Sequence, residues 1–142
     1  MLRALELAKK AYELGEVPVG AVIVKNGEII AEGYNRRQAT NRALSHAEIE
    51  AIEKANEVTG DWRLDGTSIY VTLEPCLMCA GAISASRIGE VVFGAYDIDR
   101  GFISSRADIN KLGNTDITVF GGIKEDRCKE ILDMFFENKR RK

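Results

Sequence analysis

The chain has 142 residues, room for one compact domain and not for a second. Its 45% hydrophobic and 30% charged residues exclude a disordered chain. Lys plus Arg number 20 against 22 Asp plus Glu, so the formal net charge of −2 excludes a globally basic nucleic-acid coat, and any nucleic-acid binding must use a local patch.

Residues 2–14 place Leu2, Leu5, Ala8 and Tyr12 at helical spacing, and Gly15 stops the predicted helix. Two apolar runs, Val19 to Val24 and Ile29 to Tyr34, flank Asn26-Gly27, the strongest short hairpin signal. Residues 35–44 are polar and basic and read as a loop. A helix is expected from about Ser45 to Val58, closed by Gly60 and Asp61. Thr67 to Leu73 reads as a buried strand. Pro75 suits a first helical position, opening a small, apolar helix over 76–86. Glu90 to Gly94 is a strand, 95–116 is irregular, Ile117 to Phe120 is a short strand, and a last helix runs from Lys124 to about Lys139. A hairpin followed by alternating strands and helices implies a mixed sheet sandwiched by helices. No apolar run approaches the ~18 residues of a membrane-spanning helix. The charged start, with Glu6, Lys9, Lys10 and Glu13, lacks a signal-peptide core, so a cytoplasmic location is expected. The run Lys139-Arg140-Arg141-Lys142 is either a solvated tail or an RNA-facing patch.

The chemistry concentrates at two helix starts. Three cysteines are too few for a disulfide framework, and the single histidine, His46, carries any imidazole role. Cys76 and Cys79 share one helix face in the first turn, where free N–H groups and the helix dipole favour thiolates. Helix starts that follow parallel strands gather on one sheet edge, so His46, Cys76 and Cys79 can converge on one Zn²⁺. Three protein ligands leave a fourth position open for water, the catalytic arrangement, and zinc brings that water's pKa down to roughly 7. Glu48 could then move protons without ligating the metal. Each piece has an alternative. Ser45-His46-Ala47-Glu48 is also a capping box, in which Glu48 merely satisfies a backbone N–H. Cys76 and Cys79 could form a redox pair. Cys128, among Ile131, Leu132 and Phe135, reads as a buried apolar cysteine.

His46-Ala47-Glu48 followed by Pro75-Cys76-Leu77-Met78-Cys79 matches the H-x-E and P-C-x-x-C pattern of zinc deaminases. Further blocks extend the match along nearly the whole chain: LAKKAYELGEVPVGAVIV at 7–24, GYNRR at 33–37, YVTLEPCLMCAGAI at 70–83, SRIGEVVFGAYD at 86–97 and FFENKRR at 135–141. In these blocks the chain resembles the bacterial tRNA adenosine deaminases of the cytidine-deaminase-like superfamily. The resemblance implies a three-layer α/β/α sandwich around a mixed sheet of roughly five strands. It implies His46, Cys76 and Cys79 as zinc ligands and Glu48 as proton shuttle. It further implies substrate contacts from Asn35, Ala47, Asp97 and Phe136, and a homodimer whose two subunits both touch the RNA. The implied reaction converts adenosine to inosine at the anticodon wobble position, by attack of activated water on C6 and loss of ammonia. Arg36, Arg37, Arg42, Arg100 and Arg106 fit the need for local basic charge at an anticodon loop, the alternative being ordinary surface charge. The segment Ile98 to Ser105 departs from the family, with Phe102 and Ile103 where small residues are usual, and Asn114-Thr115 stands where Asn-His is frequent. The alternatives are a zinc deaminase of a free base or nucleoside, such as guanine or cytosine, with the bulkier 98–105 segment closing over it, and a non-catalytic zinc or RNA-binding module.

Overall fold

The computed structural model describes residues 1–141. In chain order they form α1 (Leu2–Glu13), β1 (Gly20–Lys25), β2 (Glu28–Tyr34), α2 (Arg37–Thr40), α3 (Ala47–Thr59), β3 (Thr67–Leu73), α4 (Leu77–Ala85), β4 (Glu90–Ala95), α5 (Ile109–Gly113), β5 (Thr118–Phe120) and α6 (Glu125–Arg140). The five strands make one sheet in the order β2-β1-β3-β4-β5. β1 is antiparallel to both neighbours, whereas β3, β4 and β5 are parallel. This is the mixed, five-stranded sheet expected. The hairpin sits where Asn26 and Gly27 both take positive φ, at 53° and 77°, as a type I′ turn requires.

The helices cover both sheet faces, giving three layers. Leu5 of α1 packs with Ala95, Cys128 and Leu132 in an apolar cluster on one face. On the other face α3, α4 and α5 send Ala47, Ala51, Ile52, Ala55, Ala80, Ile83 and Ile109 into the larger core, against Ala21, Ile23, Ile69, Val71, Val91 and Phe93. Ala47, Ala51 and Ala55 recur every four residues, so α3 turns a stripe of small side chains to the sheet. Gly33 on β2 completes that approach. A Cβ there would run into the Ala47 carbonyl oxygen and stand 2.7 Å from the Ala51 nitrogen. The start of α3 is thereby seated directly on the sheet.

Two short helices lie where the sequence reads as loop or irregular. α2 is held by Glu16, a buried side chain whose carboxylate accepts from the Gln38 N–H at 2.9 Å and the Ala39 N–H at 2.7 Å. α5 is capped by Asp108, which accepts from the Asn110 N–H at 2.9 Å. Side chains outside each short helix, not an apolar period within it, stabilise them. The bulky residues of the 98–105 segment are also relocated. Ile103 is 2% exposed in the main core and Phe102 packs against that core, so their bulk anchors the segment from beneath.

Candidate metal centre and its bordering loops

β2 and β3 are both antiparallel to β1 and therefore parallel to each other. Their carboxyl ends fall on one sheet edge, where ligand crevices form in open α/β sheets. β2 leads through residues 35–46 into α3, and β3 leads through Glu74-Pro75 into α4. His46 is the N-cap of α3 and Cys76 the N-cap of α4, both with extended backbone. Pro75 thus precedes the cap instead of opening the helix. Cys79 lies one turn inside α4 and is fully buried.

This arrangement brings His46, Cys76 and Cys79 together, with their ligand atoms all within 4.8 Å of one another. His46 Nδ1 lies 3.7 Å from Cys76 Sγ and 3.6 Å from Cys79 Sγ. Zn–N of about 2.0–2.1 Å and Zn–S of about 2.3 Å at a tetrahedral angle place nitrogen and sulfur roughly 3.5 Å apart. The imidazole and two thiol sulfurs therefore fit a zinc ion in both chemistry and spacing. Among the described residues this is the His/Cys/Asp/Glu group of three or more that could hold a metal. A redox reading would leave the imidazole beside the pair without a role.

Within this group the negative charge settles on Cys76. A hydrogen bond with Cys79 pulls the Cys76 thiol down to about 4 against the opposing effect of burial, and His46 adds to the pull. Cys79 is pushed far up by the same bond and by its own burial. The bond with Cys76 raises His46. The two helix N-termini favour negative charge at this point.

Glu48 sits in the first turn of α3, 4% exposed. Burial pushes its carboxyl up to about 7, with Cys76 adding to the rise. The capping-box reading fails here. The N-cap is His46, it has no side-chain cap bond, and Ser45 Oγ instead accepts from Thr40 Oγ1 at 2.8 Å. Glu48 is left as a buried carboxyl beside the three candidate ligand side chains. Ala47 is fully buried in the larger core.

The other expected contacts are more dispersed. Asn35 is half-buried where β2 leaves the sheet; its amide donates to the Val17 carbonyl at 3.2 Å and accepts from the Arg37 N–H at 3.2 Å. Asp97 follows β4 and accepts from the Arg100 N–H at 3.1 Å. Phe136 is exposed on α6, edge-on to Phe135 at 5.4 Å. Arg36 lies 3.8 Å from Glu50, and Arg141 is paired with Glu137 at 2.8 Å; Lys142 lies outside the described residues.

Glu74, inside the block at 70–83, is a functional candidate that the motifs alone do not mark. It is 2% exposed. Oε1 accepts from the Asp97 N–H at 3.2 Å and from the Ser105 hydroxyl; Oε2 accepts from the N–H groups of Ile103, Ser104 and Ser105 at 3.2, 2.8 and 2.9 Å. Burial acts to raise its carboxyl, but these bonds together carry it below the ordinary carboxylate value. A charged residue at an apolar strand end, just before proline, was the one available signal.

A model of the cytidine and deoxycytidylate deaminase zinc-binding region matches residues 1–95. A tRNA-specific adenosine deaminase of Bacillus subtilis is 45% identical over 144 aligned residues, covering 100% of this chain and 89% of that protein. A solved structure from a study of A-to-I editing by tRNA:A34 deaminases superposes with a TM-score of 0.88 at 42% identity, covering 91% of this chain and 95% of that one. The guanine deaminase of Bacillus subtilis superposes less well, with a TM-score of 0.65 at 39% identity over 81% of this chain and 68% of that one. No helix among the described residues is long and apolar enough to cross a membrane. With a His-Cys-Cys group spaced for zinc and whole-chain similarity of this extent, the chain belongs to the zinc-dependent cytidine and deoxycytidylate deaminase family, in its tRNA adenosine deaminase branch.

Proposed function

We propose that residues 1–142 act as one zinc-dependent deaminase domain that converts adenosine to inosine at the wobble position of a tRNA anticodon. The observation that carries the reading is the convergence of His46, Cys76 and Cys79 at zinc spacing with the buried Glu48 beside them. Whole-chain similarity to a tRNA-specific adenosine deaminase gives the substrate class.

In this reading His46 Nδ1, Cys76 Sγ and Cys79 Sγ hold Zn²⁺. The ion supplies Lewis acidity and an activated water. Glu48, whose carboxyl lies at about 7, holds or releases a proton near neutrality. It would take one proton from the attacking water and deliver it to a ring nitrogen, then pass the second, from the new C6 hydroxyl, to the amine, which leaves as ammonia. Its burial keeps the carboxyl out of bulk solvent. Asn35 and Asp97 stand on the loops that leave β2 and β4, where an unpaired loop base can enter splayed from its neighbours. Phe136 and the basic end of α6 would face the RNA. Leu44 and Leu77, each 61% exposed close to the candidate ligands, leave apolar surface that a second copy would cover, which supports a homodimer. The expected location is the cytoplasm, where tRNA is processed.

Deamination of a free base is the second reading, favoured by the 39% identity to guanine deaminase. The experiment compares ammonia release by zinc-loaded protein from an anticodon stem-loop, adenosine, guanine, cytosine and cytidine. Selective turnover of the stem-loop is expected. Turnover of a free base, with the stem-loop inert, would replace this proposal by the second reading.

A further inference from the structure

Glu74 has no part in the chemistry just described, yet it is a buried carboxylate taking five hydrogen bonds from one surface segment. The donors come from both ends of 97–105: Asp97 at the start, and Ile103, Ser104 and Ser105 at the close. Between them the Gly101 N–H donates to the Asp97 carbonyl at 2.7 Å, and the Phe102 N–H donates to the Pro75 carbonyl at 2.9 Å. Gly101 passes so close that a Cβ would run into the Glu74 carboxyl carbon and stand 2.5 Å from Oε1. The segment is therefore tied to Glu74 and Pro75, the two residues that precede Cys76. It lies beyond residues 1–95, the part shared with the wider deaminase family.

We infer that Glu74 is a positioning residue that sets the shape of 97–105 and, through it, the fit of the substrate beside Cys76 and Asp97. The physical argument is the choice of acceptor. Backbone N–H groups of an irregular segment need partners. A neutral side chain at position 74 would leave several of them unsatisfied or would hold them less strongly than a charge-assisted acceptor does. A carboxylate accepts on both oxygens and donates on neither, so it holds every one of these donors in a single geometry. The metal ligands belong to the adjoining turns and do not depend on it for their own hydrogen bonds. Its effect is accordingly on substrate affinity, with zinc retained.

The name of the substrate rests on the proposed function; the role of Glu74 is tested beside it. The variants are Glu74→Gln and Ser105→Ala. In the glutamine variant the carbonyl oxygen can still accept from residues 103–105, while the amide NH₂ confronts the Asp97 N–H. Ser105→Ala removes only the hydroxyl bond and covers the case in which the first variant folds poorly. Zinc content, amide hydrogen exchange over 97–105, and kcat and KM on the stem-loop are measured together with wild type. Should wild type leave the stem-loop unchanged and turn over a free base, the proposed function fails and KM is read on that base. We expect zinc at one per chain, faster exchange at Asp97, KM raised about tenfold for Glu74→Gln and less for Ser105→Ala, and kcat within about threefold. Loss of zinc, or unchanged KM in both variants with only a lower melting temperature, would overturn the inference.

Discussion

His46 Nδ1 and Cys79 Sγ lie 3.6 Å apart, although 33 residues separate them in the chain. The contact exists because β2 and β3 run the same way and both deliver a helix start to one edge of the sheet. Removing either group should therefore cost metal before it costs fold. His46→Ala and Cys79→Ser should each bring zinc content well below one per chain, measured by elemental analysis. Chelation of wild type should lower the melting temperature, since a ligand at about a thousand times its Kd contributes about 4 kcal/mol to the folded state.

Glu48→Gln separates chemistry from architecture. Its side chain lies outside the candidate ligand group, and glutamine keeps its size and an acceptor oxygen, so zinc content and melting temperature should stay close to wild type. Turnover should fall by about 10²–10⁴-fold, the usual contribution of a positioned proton carrier. The measurement is kcat on the same stem-loop with zinc content confirmed. A large loss of stability in this variant would restore the capping role that the structure denies it.

Gly33→Ala tests how the start of α3 is seated. The added methyl would enter the space of the Ala47 carbonyl, which is backbone and has little room to yield. Overpacking of this kind costs about 1–3 kcal/mol. Because Ala47 adjoins His46, zinc affinity should weaken along with the denaturation midpoint. Gly27→Ala, at a hairpin tip with open space around it, should leave zinc affinity unchanged.

The parts of the site that could be read from the chain were those whose chemistry lies in short motifs. His46, Glu48, Cys76 and Cys79 need particular residue types at fixed spacing, and a helix start gives that spacing its geometry. The sheet was legible for a similar reason: Asn26-Gly27 and the apolar runs around it are local signals. Glu16 and Glu74 were not legible. Each acts on backbone N–H groups more than 20 residues away, and no local pattern reports such a partner. α2 reads as loop for the same reason, since its acceptor Glu16 lies 22 residues away; α5 has a local cap in Asp108 but is too short to show an apolar period. Phe102 and Ile103 looked like a lid over the pocket, yet their side chains turn to the core. In an irregular segment no period tells which side faces inward.

Cys128 offers a pH test away from the metal site. It is fully buried, with Leu5, Ala95 and Leu132 in its cluster, and burial pushes its thiol up to about 11. The charges around it, the Met1 amino group, Lys124 and Arg127, favour the thiolate but act more weakly than burial. The folded state keeps the proton while the unfolded chain releases it near pH 9. Stability from this group is thus full below about pH 8.5 and falls as pH rises toward about 11, by up to about 3 kcal/mol. Urea midpoints between pH 8 and 10.5 should decline more steeply for wild type than for Cys128→Ala. In the native protein at neutral pH, Cys128 should also resist alkylation.

The most direct measurement is position-resolved. An anticodon stem-loop carrying one adenosine at the wobble position and others elsewhere is incubated with zinc-loaded protein, then digested and analysed by mass spectrometry. We expect inosine at the wobble position alone, and none with Glu48→Gln. Absence of inosine with metal confirmed bound, or inosine spread over every adenosine, would contradict a wobble-specific deaminase.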